Sequence, residues 1–299
     1  MIVRSADRVL VQGITGRQGT FWTERMQECG TRIVAGVSPA KGGTTHCGVP
    51  VFATAGEAMR QVGFDVAVLF VPPAGALAAA TAACETGVRL LVVLTEHIPG
   101  LDVARMHVTA KRSGTRILGP NTAGLVTPGE AFVGIMPGFN RRVFQPGDVG
   151  VISRSGSLGT LVCLELVRAG FGQSAFIGIG GDPMPGTTTR EALQALDEDA
   201  RTRAVVLVGE IGGSMEEESG EYAARMEKPV VAFIAGAASP PDKKMGHAGA
   251  IVAGGRGGYA GKRRALEAAG IAVTDTANGI GRALAGRRAA AAPSIRAPT

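Results

Sequence analysis

Short apolar runs alternate with stretches of helical periodicity through the first part of the chain. The apolar runs, each a predicted strand, are 8–12, 32–37, 66–71, 90–94 and 116–118. The predicted helices are 17–29, 55–62, 74–86 and 102–113. Because these strands are apolar on both faces, we expect a parallel sheet covered by helices on both sides, as in a doubly wound, Rossmann-like fold.

The same alternation returns after a stretch rich in Gly and Pro, which shows no helical periodicity and is predicted to connect two domains. The strands predicted beyond it are 149–153, 174–179, 204–208, 230–234 and 271–274. The helices predicted there are 157–169, 188–197, 215–226, 260–269 and 276–286. The pattern therefore predicts an α/β protein with two parallel sheets. The expected boundaries are 1–121 for the first domain, 122–146 for the connecting segment, 147–288 for the second domain and 289–299 for a disordered tail.

Composition narrows the class of protein. With 45% hydrophobic and 19% charged residues, the chain of 299 residues is typical of a globular protein with more than one core. No apolar run approaches the roughly 20 residues that a membrane span needs, so no membrane association is expected. The N-terminus lacks a signal-peptide pattern, and the four scattered cysteines form no CxxC pair. These features predict a cytoplasmic protein with reduced thiols and no metal site.

The net charge of +6 leaves the ligand class open. Lys and Arg are spread along the chain without an aromatic stacking platform, so nucleic acid is not an expected partner. A small polyanion such as a nucleotide or CoA explains the excess equally well. For most of these side chains, solvation at the surface is a sufficient explanation.

A glycine-rich turn follows the first predicted strand. Gly13, Gly16 and Gly19 have the spacing GxxGxxG and precede a helix, whose free N–H groups and positive dipole end favour a phosphate. The alternative is a plain tight turn. NAD enzymes carry GxGxxG and an acid after the second strand, whereas here Ser38 follows that strand and no acid does. Lys41 lies close by in sequence, where a cation is able to meet a phosphate.

Ser153, Ser155 and Ser157 lie between a predicted strand and a predicted helix. Their hydroxyls and the N–H groups of the helix start predict an anion site. An ordinary serine N-cap without a ligand remains the alternative.

His247 lies in a glycine-rich loop, Met245–Ile251, which predicts an exposed side chain. An imidazole accepts a phosphoryl group at neutral pH, although a lone histidine in a loop is often only solvated. Glu210 ends a predicted strand within Gly209–Gly213, at the sheet edge where α/β proteins carry functional groups. Such a carboxylate either holds one ring nitrogen of a histidine or caps the next helix.

Taken together, these segments resemble the α subunits of the succinyl-CoA synthetase family. The matching segments, in chain order, are QGITGRQG, AKGGTTHCGVPVF, GPN, SRSG, GIGGDP, GEIGG and MGHAGAI. The resemblance extends from about Leu10 to Leu284, which is nearly the whole chain. It implies a CoA-binding Rossmann-like domain followed by a flavodoxin-like ligase domain.

The resemblance also implies roles for individual residues. His247 matches the phosphorylated histidine of the family, and Glu210 matches the acid that positions it. The positions that match the phosphate site are Ser153, Ser155, Gly156 and Ser157. The positions that match the CoA site are Thr15, Gly16, Arg17, Gln18, Lys41, Thr95, Glu96 and His97.

A partner and a reaction are implied as well. In this family ATP or GTP with Mg²⁺ binds a separate ATP-grasp β subunit, in an αβ or α₂β₂ complex, so the α chain is expected to be inactive alone. The phosphoryl group passes from the histidine to a carboxylic acid, and the CoA thiol then displaces phosphate.

Some residues depart from the family pattern. Thr160 and Leu161 stand where a Tyr-Glu pair is usual, Thr122 follows the GPN segment, and His97 replaces a usual glycine. Other wording resembles malate–CoA ligase, so the expected acid is succinate or a related dicarboxylate such as malate. The alternatives are a non-catalytic CoA-binding or regulatory homologue and a Rossmann dehydrogenase.

Overall fold

The computed structural model describes residues 1–239, 247, 249 and 257–291. The first domain is built on strands β1 (Arg8–Gln12), β2 (Arg32–Val37), β3 (Thr45–His46), β4 (Val49–Phe52), β5 (Val66–Leu69), β6 (Leu90–Val93) and β7 (Arg116–Leu118). Its helices are α1 (Arg17–Glu28), α2 (Ala55–Gln61), α3 (Pro73–Cys84) and α4 (Gly100–Ser113). The strand order is β3-β4-β2-β1-β5-β6-β7, so the predicted Rossmann-like arrangement is confirmed.

The second sheet contains β8 (Gly124–Thr127), β9 (Ala131–Gly134), β10 (Pro146–Ser153), β11 (Gln173–Gly178), β12 (Ala204–Glu210), β13 (Val230–Ala235) and β14 (Ala272–Thr274). The helices that accompany it are α5 (Gly156–Arg168), α6 (Thr189–Glu198), α7 (Met215–Ala223), α8 (Tyr259–Ala268) and α9 (Ile280–Ala291). The order is β14-β13-β12-β10-β11-β8-β9. In the part of the chain that the structure describes, no helix is long and apolar enough to span a bilayer.

The sheets are mixed at their edges. The central strands pair in parallel, as predicted from their apolar runs, whereas β3 pairs with β4, and β8 with both β9 and β11, in antiparallel fashion. The sequence prediction missed β3 and β4 because these strands are short and Pro50 interrupts the apolar run of β4.

The segment 122–146, predicted to be a connection, contributes β8 and β9 to the second sheet. It also packs against the first domain. The Thr31 hydroxyl donates to the carbonyl of Phe132 at 2.7 Å and accepts from its N–H at 2.9 Å, and the Thr127 hydroxyl donates to the carbonyl of Val3 at 2.6 Å. Val3, Phe132 and residues of both sheets share one hydrophobic core, so the two domains are packed together through this segment.

The last helix is longer than predicted. Helix α9 reaches Ala291, so the first residues of the predicted tail are helical, while 292–299 lie outside the described residues. Arg288 explains the extension: its guanidinium pairs with Asp148 at 2.6 Å and lies 5.2 Å from the centre of the Phe171 ring. These contacts hold the helix end against the second domain.

In each sheet the order of the strands reverses at one strand, and a helix begins after the carboxyl end of that strand. Strand β1 lies between β2 and β5, and α1 follows it; β10 lies between β11 and β12, and α5 follows it. Ligands of open α/β sheets bind in the crevice at such points, at the carboxyl ends of the strands. Both predicted phosphate-binding turns therefore lie at favourable positions.

Candidate active site

His247 forms a close pair with Glu210. The carboxylate of Glu210, at the end of the fully buried strand β12, lies 2.8 Å and 2.9 Å from the Nδ1 atom of His247 through its two oxygens. A carboxylate acts only as an acceptor, so Nδ1 carries the proton and donates it. The other ring nitrogen, Nε2, then keeps its lone pair in the neutral ring and has the chemistry that a nucleophile needs.

The surroundings of His247 act on its pKa in opposite directions. The hydrogen bond to Glu210 raises the pKa of the imidazole above its usual value, although burial and the cation of Arg154 act to lower it. The charges of Glu210 and Asp182 add to the increase. The carboxylates therefore favour positive charge on the ring, which is the charge that develops when Nε2 attacks an electrophile.

The imidazole of His247 packs on Gly181. A Cβ atom at position 181 would lie 2.5 Å from Cγ of the ring, a distance that no real contact allows. The N–H of Gly249 donates to the carbonyl of Gly181 at 3.1 Å, and the N–H of Gly181 donates to the carbonyl of Asn121 at 3.1 Å. The side chain of Asn121 in turn donates to Asp182 at 3.0 Å. The loop after β11 thus packs against one face of the imidazole and is itself held by these hydrogen bonds.

His247 opens into a cleft of about 1010 Å³ between the two domains. The predicted site residues that line it are Gln18, Thr95, Glu96, His97, Gly156, Ser157 and His247, and Asn121 and Thr160 line it as well. A second pocket of about 300 Å³ shares Glu96, His97, Asn121 and His247 with the cleft and adds Asp182. The imidazole therefore lies where the two cavities meet.

The serine cluster lies at the start of α5 and only part of it faces the cleft. Ser155 is the N-cap and accepts from the N–H of Leu158 at 3.4 Å. Ser153 is fully buried and donates to the carbonyl of Ser155 at 2.6 Å, so its hydroxyl is occupied by the turn. Gly156 and Ser157 line the cleft beside His247. The structure brings these two residues to the histidine and uses Ser153 and Ser155 to shape the turn.

In the first domain, the glycine-rich turn leaves the start of α1 open. Gly13 has φ of +79°, and a Cβ there would lie 2.2 Å from the carbonyl oxygen of Phe70. Gly16 is the N-cap and has no side chain to cover the first N–H groups of the helix. The helix start is therefore accessible to a phosphate.

The remaining predicted CoA-site residues lie outside the cleft. The Thr15 hydroxyl is 2.9 Å from that of Ser38. Lys41 and Arg17 are exposed. The pair of hydroxyls occupies the end of β2, where an NAD enzyme would carry its acid. This arrangement disfavours the dehydrogenase alternative.

The sequence analysis missed a buried group of charges behind the histidine. The guanidinium of Arg154 lies 3.6 Å from Glu210 and 3.6 Å from Glu216, and it donates to the carbonyl of Gly212 at 2.8 Å. Lys262, also buried, forms an ion pair with Glu216. A signal was available in the sequence, because an arginine among small residues directly after an apolar strand is unusual.

The cysteines and acids form no metal site within the described residues. No group of three or more His, Cys, Asp or Glu there is placed to hold a metal ion. The four cysteines are free, and burial raises the pKa of each thiol. The thiols are therefore protonated at neutral pH.

Residues 4–97 match the family model of a CoA binding domain, and residues 152–272 match the model of a CoA-ligase domain. Subunit alpha 2 of succinate–CoA ligase (ADP-forming) from Archaeoglobus fulgidus is 47% identical over 276 residues, which cover 92% of this chain and 95% of that protein. The alpha subunit from Methanothermobacter thermautotrophicus is 47% identical, and the match covers 94% of each chain. The alpha subunit from Aquifex aeolicus is 43% identical, and the match covers 95% of this chain and 93% of that protein.

Solved structures show the same fold. ATP citrate lyase from Methanothrix soehngenii, in complex with citrate and coenzyme A, superposes with a TM-score of 0.87 at 23% identity. The match covers 100% of this chain and 53% of the lyase chain, so the present chain spans about half the length of that protein. The close sequence relatives, by contrast, are matched over almost their whole length. The chain therefore belongs to the family of succinate–CoA ligase α subunits.

Proposed function

We propose that this chain is the α subunit of a nucleotide-dependent acid–CoA ligase and that His247 carries the phosphoryl group during catalysis. The observation that supports this most directly is the hydrogen bond from Nδ1 to Glu210, at 2.8 Å, beside a cleft that also contains the start of α5. The pair provides a nucleophilic Nε2 atom, and the helix N-terminus provides a place for the anion that Nε2 attacks.

In the first step, Nε2 of His247 attacks the γ-phosphorus of a nucleoside triphosphate. The N–P bond forms, the P–O bond to the nucleoside diphosphate breaks, and the diphosphate leaves. The ring gains positive charge, and Glu210 stabilises it by accepting the hydrogen bond from Nδ1. Gly156 and Ser157, at the start of α5, are proposed to hold the phosphoryl oxygens, with Ser153 and Ser155 shaping that turn.

In the second step, a carboxylate oxygen of the acid attacks the same phosphorus. The N–P bond breaks, His247 is regenerated, and an acyl phosphate forms. In the third step, the CoA thiolate attacks the acyl carbon and the C–O bond to phosphate breaks, which yields the thioester and inorganic phosphate. The thiol proton leaves with the phosphate or with solvent. Splitting the condensation in this way replaces one difficult displacement with easier ones.

CoA is proposed to bind between the glycine-rich turn and the cleft. The open start of α1, formed by Thr15, Gly16, Arg17 and Gln18, suits its phosphates, and Lys41 provides a nearby cation. Gln18 lines the cleft together with Thr95, Glu96 and His97, which supports a path for the pantetheine arm toward His247.

The nucleotide, ATP or GTP with Mg²⁺, is proposed to bind a separate ATP-grasp β subunit. The complex is then αβ or α₂β₂ and works in the cytoplasm. The family membership supports this division, since the relatives are named as alpha subunits. The α chain alone is expected to bind CoA but to form no thioester.

The acid is proposed to be a small dicarboxylate, succinate or a hydroxylated relative such as malate. Thr160 is half-buried on the cleft wall, and its hydroxyl donates to the carbonyl of Gly156 at 2.8 Å, within its own helix. Leu161 beside it is 42% exposed. A short side chain at 160 leaves space near the start of α5 for an acid with an additional hydroxyl group.

The test is a label chase on the complex with its β partner. The complex receives γ-labelled ATP and Mg²⁺, acid-labile label is measured on the α chain, and CoA is then added with each acid of a panel. His247→Asn is the matched control, because it removes Nε2 and keeps a polar side chain. Label that depends on His247 and is discharged by one acid supports the ligase and identifies its substrate. Absence of label, with CoA still bound, would contradict catalysis and favour a CoA-binding regulator.

A further inference from the structure

A row of alternating charges runs from His247 into the second domain. After Glu210 come Arg154, Glu216 and Lys262. The side chains of Arg154, Glu216 and Lys262 are 3%, 0% and 0% exposed. Burying isolated ions costs several kcal/mol each, so such groups persist only with close partners of opposite sign. Glu210, Arg154 and Glu216 each have such partners on either side, and Lys262 lies between Glu216 and Glu217, the latter at 3.5 Å.

Arg154 lies against Glu210, against the loop after β12 and close to Gly249. Its Nη1 donates to the carbonyl of Gly212, after β12, and the N–H of Gly212 donates to the carbonyl of Gly257 at 2.8 Å. A Cβ at Gly249 would lie 2.8 Å from its Nη2, so the residue two positions after His247 must be small. Its Nε makes no hydrogen bond within the described residues and lies 3.6 Å from Glu210.

We propose that Arg154 is a positioning residue that acts on His247 through Glu210: its guanidinium shares the negative charge of this carboxylate and so limits the pull of the carboxylate on the Nδ1 proton. This inference rests on the proposed function, in which neutral His247 is the nucleophile. Without Arg154, Glu210 would have the imidazole as its nearest cationic partner, and the histidine would be held in its protonated form. A protonated ring has no lone pair on Nε2 and accepts no phosphoryl group.

The charges around His247 agree with this role. Glu210 and Asp182 raise its pKa, and Arg154 is the cation that lowers it. Glu96 and His97 line the adjacent cleft, where both side chains are exposed to solvent and their effect is screened. Removal of Arg154 therefore raises the pKa of His247.

Glu216 and Lys262 affect the strength of the electrostatic interaction between Arg154 and Glu210. Glu216 is a second carboxylate at the same 3.6 Å distance from Arg154 and competes for it. The ion pair with Lys262 reduces that competition. A Lys262→Met substitution is therefore expected to act in the same direction as loss of Arg154, with a smaller effect.

The experiment measures how the rate of His247 phosphorylation depends on pH in the complex with the β partner. Wild type is compared with four variants. Arg154→Met removes the cation, Arg154→Lys retains it, and Arg154→Met with Glu216→Gln removes both members of one buried ion pair. Arg201→Met is the matched control: this arginine pairs with Glu130 at the protein surface and is 52% exposed.

With Arg154→Met, the acidic limb of the profile is expected to shift upward by about one pH unit, the usual size of such a charge effect. In the double variant Lys262 keeps Glu217 at 3.5 Å as a partner, and the limb is expected to stay shifted because Glu216 is not the group through which Arg154 acts on His247. Arg154→Lys is expected to restore the limb at a reduced rate, and Arg201→Met to leave the profile unchanged.

Coincidence of the Arg154→Met limb with that of wild type would overturn the inference, and so would a return of the double variant to the wild-type limb. Wild-type complex that takes up no label on His247 would instead contradict the proposed function. The two failures are therefore distinguishable within one set of measurements.

Discussion

The Nδ1 atom of His247 lies 2.8 Å and 2.9 Å from the two carboxylate oxygens of Glu210, although the residues are 37 positions apart. Glu210 is the last residue of strand β12, at the carboxyl edge of the sheet, and His247 belongs to the glycine-rich segment 245–251 of the sequence. The contact fixes the tautomer of the ring and stabilises positive charge on it. Loss of the negative charge of Glu210 should therefore slow the phosphorylation of His247.

Replacing Glu210 with glutamine tests this directly. The amide oxygen still accepts from Nδ1, so the geometry is retained, but the ring loses its counter-charge. We expect single-turnover phosphorylation of His247 at neutral pH to slow by about 10- to 100-fold. Glu267→Gln is the control, since Glu267 pairs with Arg263 on the surface of α8. Equal rates in the two variants would mean that Glu210 only caps the following loop.

The raised pKa of His247 predicts a pH-dependent contribution to stability. A histidine whose pKa is higher in the folded than in the unfolded chain stabilises the fold fully below its unfolded pKa of about 6.5, and this contribution is lost as the pH rises through the folded pKa. Urea unfolding of wild type and His247→Asn should thus differ more at pH 6 than at pH 9. In the Glu210→Gln background the difference should lose its pH dependence. A gap of equal size at both pH values would argue against the ion pair.

Gly181 is predicted to be essential for the position of the His247 ring. A methyl group there would lie 2.5 Å from Cγ of His247, so Gly181→Ala should displace the ring and reduce phosphorylation at least tenfold. Urea unfolding should change less than the phosphorylation rate, because the clash falls on the ring of His247, which is not part of the hydrophobic core. The control is Gly261→Ala in α8, where nothing lies within 4 Å of the added methyl group. It is expected to keep full activity and to stabilise the helix by about 0.5–1 kcal/mol.

Gly19 is predicted to be required for CoA binding. A Cβ at this position would lie 2.2 Å from the carbonyl oxygen of Gly13, so Gly19→Ala should force the turn at the start of α1 open. We expect calorimetry with CoA to show an affinity at least tenfold lower, since the N–H groups no longer converge on one phosphate. Gly56→Ala in α2 is the control, because its nearest neighbour is the flexible end of Arg60 at 3.5 Å. Unchanged affinity in Gly19→Ala would place the phosphates elsewhere.

The apolar pattern predicted the central strands, and the family resemblance predicted the pairing of Glu210 with His247, which the residues alone had left beside a capping role. Parallel strands such as β10 and β12 are buried on both faces and read as unbroken apolar runs. The edge strands β8 and β9 escaped because they lie in a segment rich in Gly and Pro, where pairing with β11 rather than local preference determines the structure.

Apart from Arg154, the charges behind the site were not predictable in the same way. Lys262 and Glu216 are far apart in sequence and both lie in helices with ordinary polar residues. Their complete burial arises from the packing of α7 against α8, which no periodicity reveals. The role of Gly181 was hidden for a similar reason, since only the position of the ring shows that a side chain cannot fit there.

The central claim is that Glu210 holds Nδ1 and leaves Nε2 of His247 to carry the phosphoryl group. The most direct measurement is nuclear magnetic resonance of the phosphorylated complex, with ¹⁵N-labelled histidine in the α chain and detection of the ³¹P–¹⁵N coupling. Our account predicts one phosphoramidate, with coupling to Nε2 of His247 and a proton retained near Nδ1. Coupling to Nδ1, or phosphorus on a residue other than His247, would contradict it.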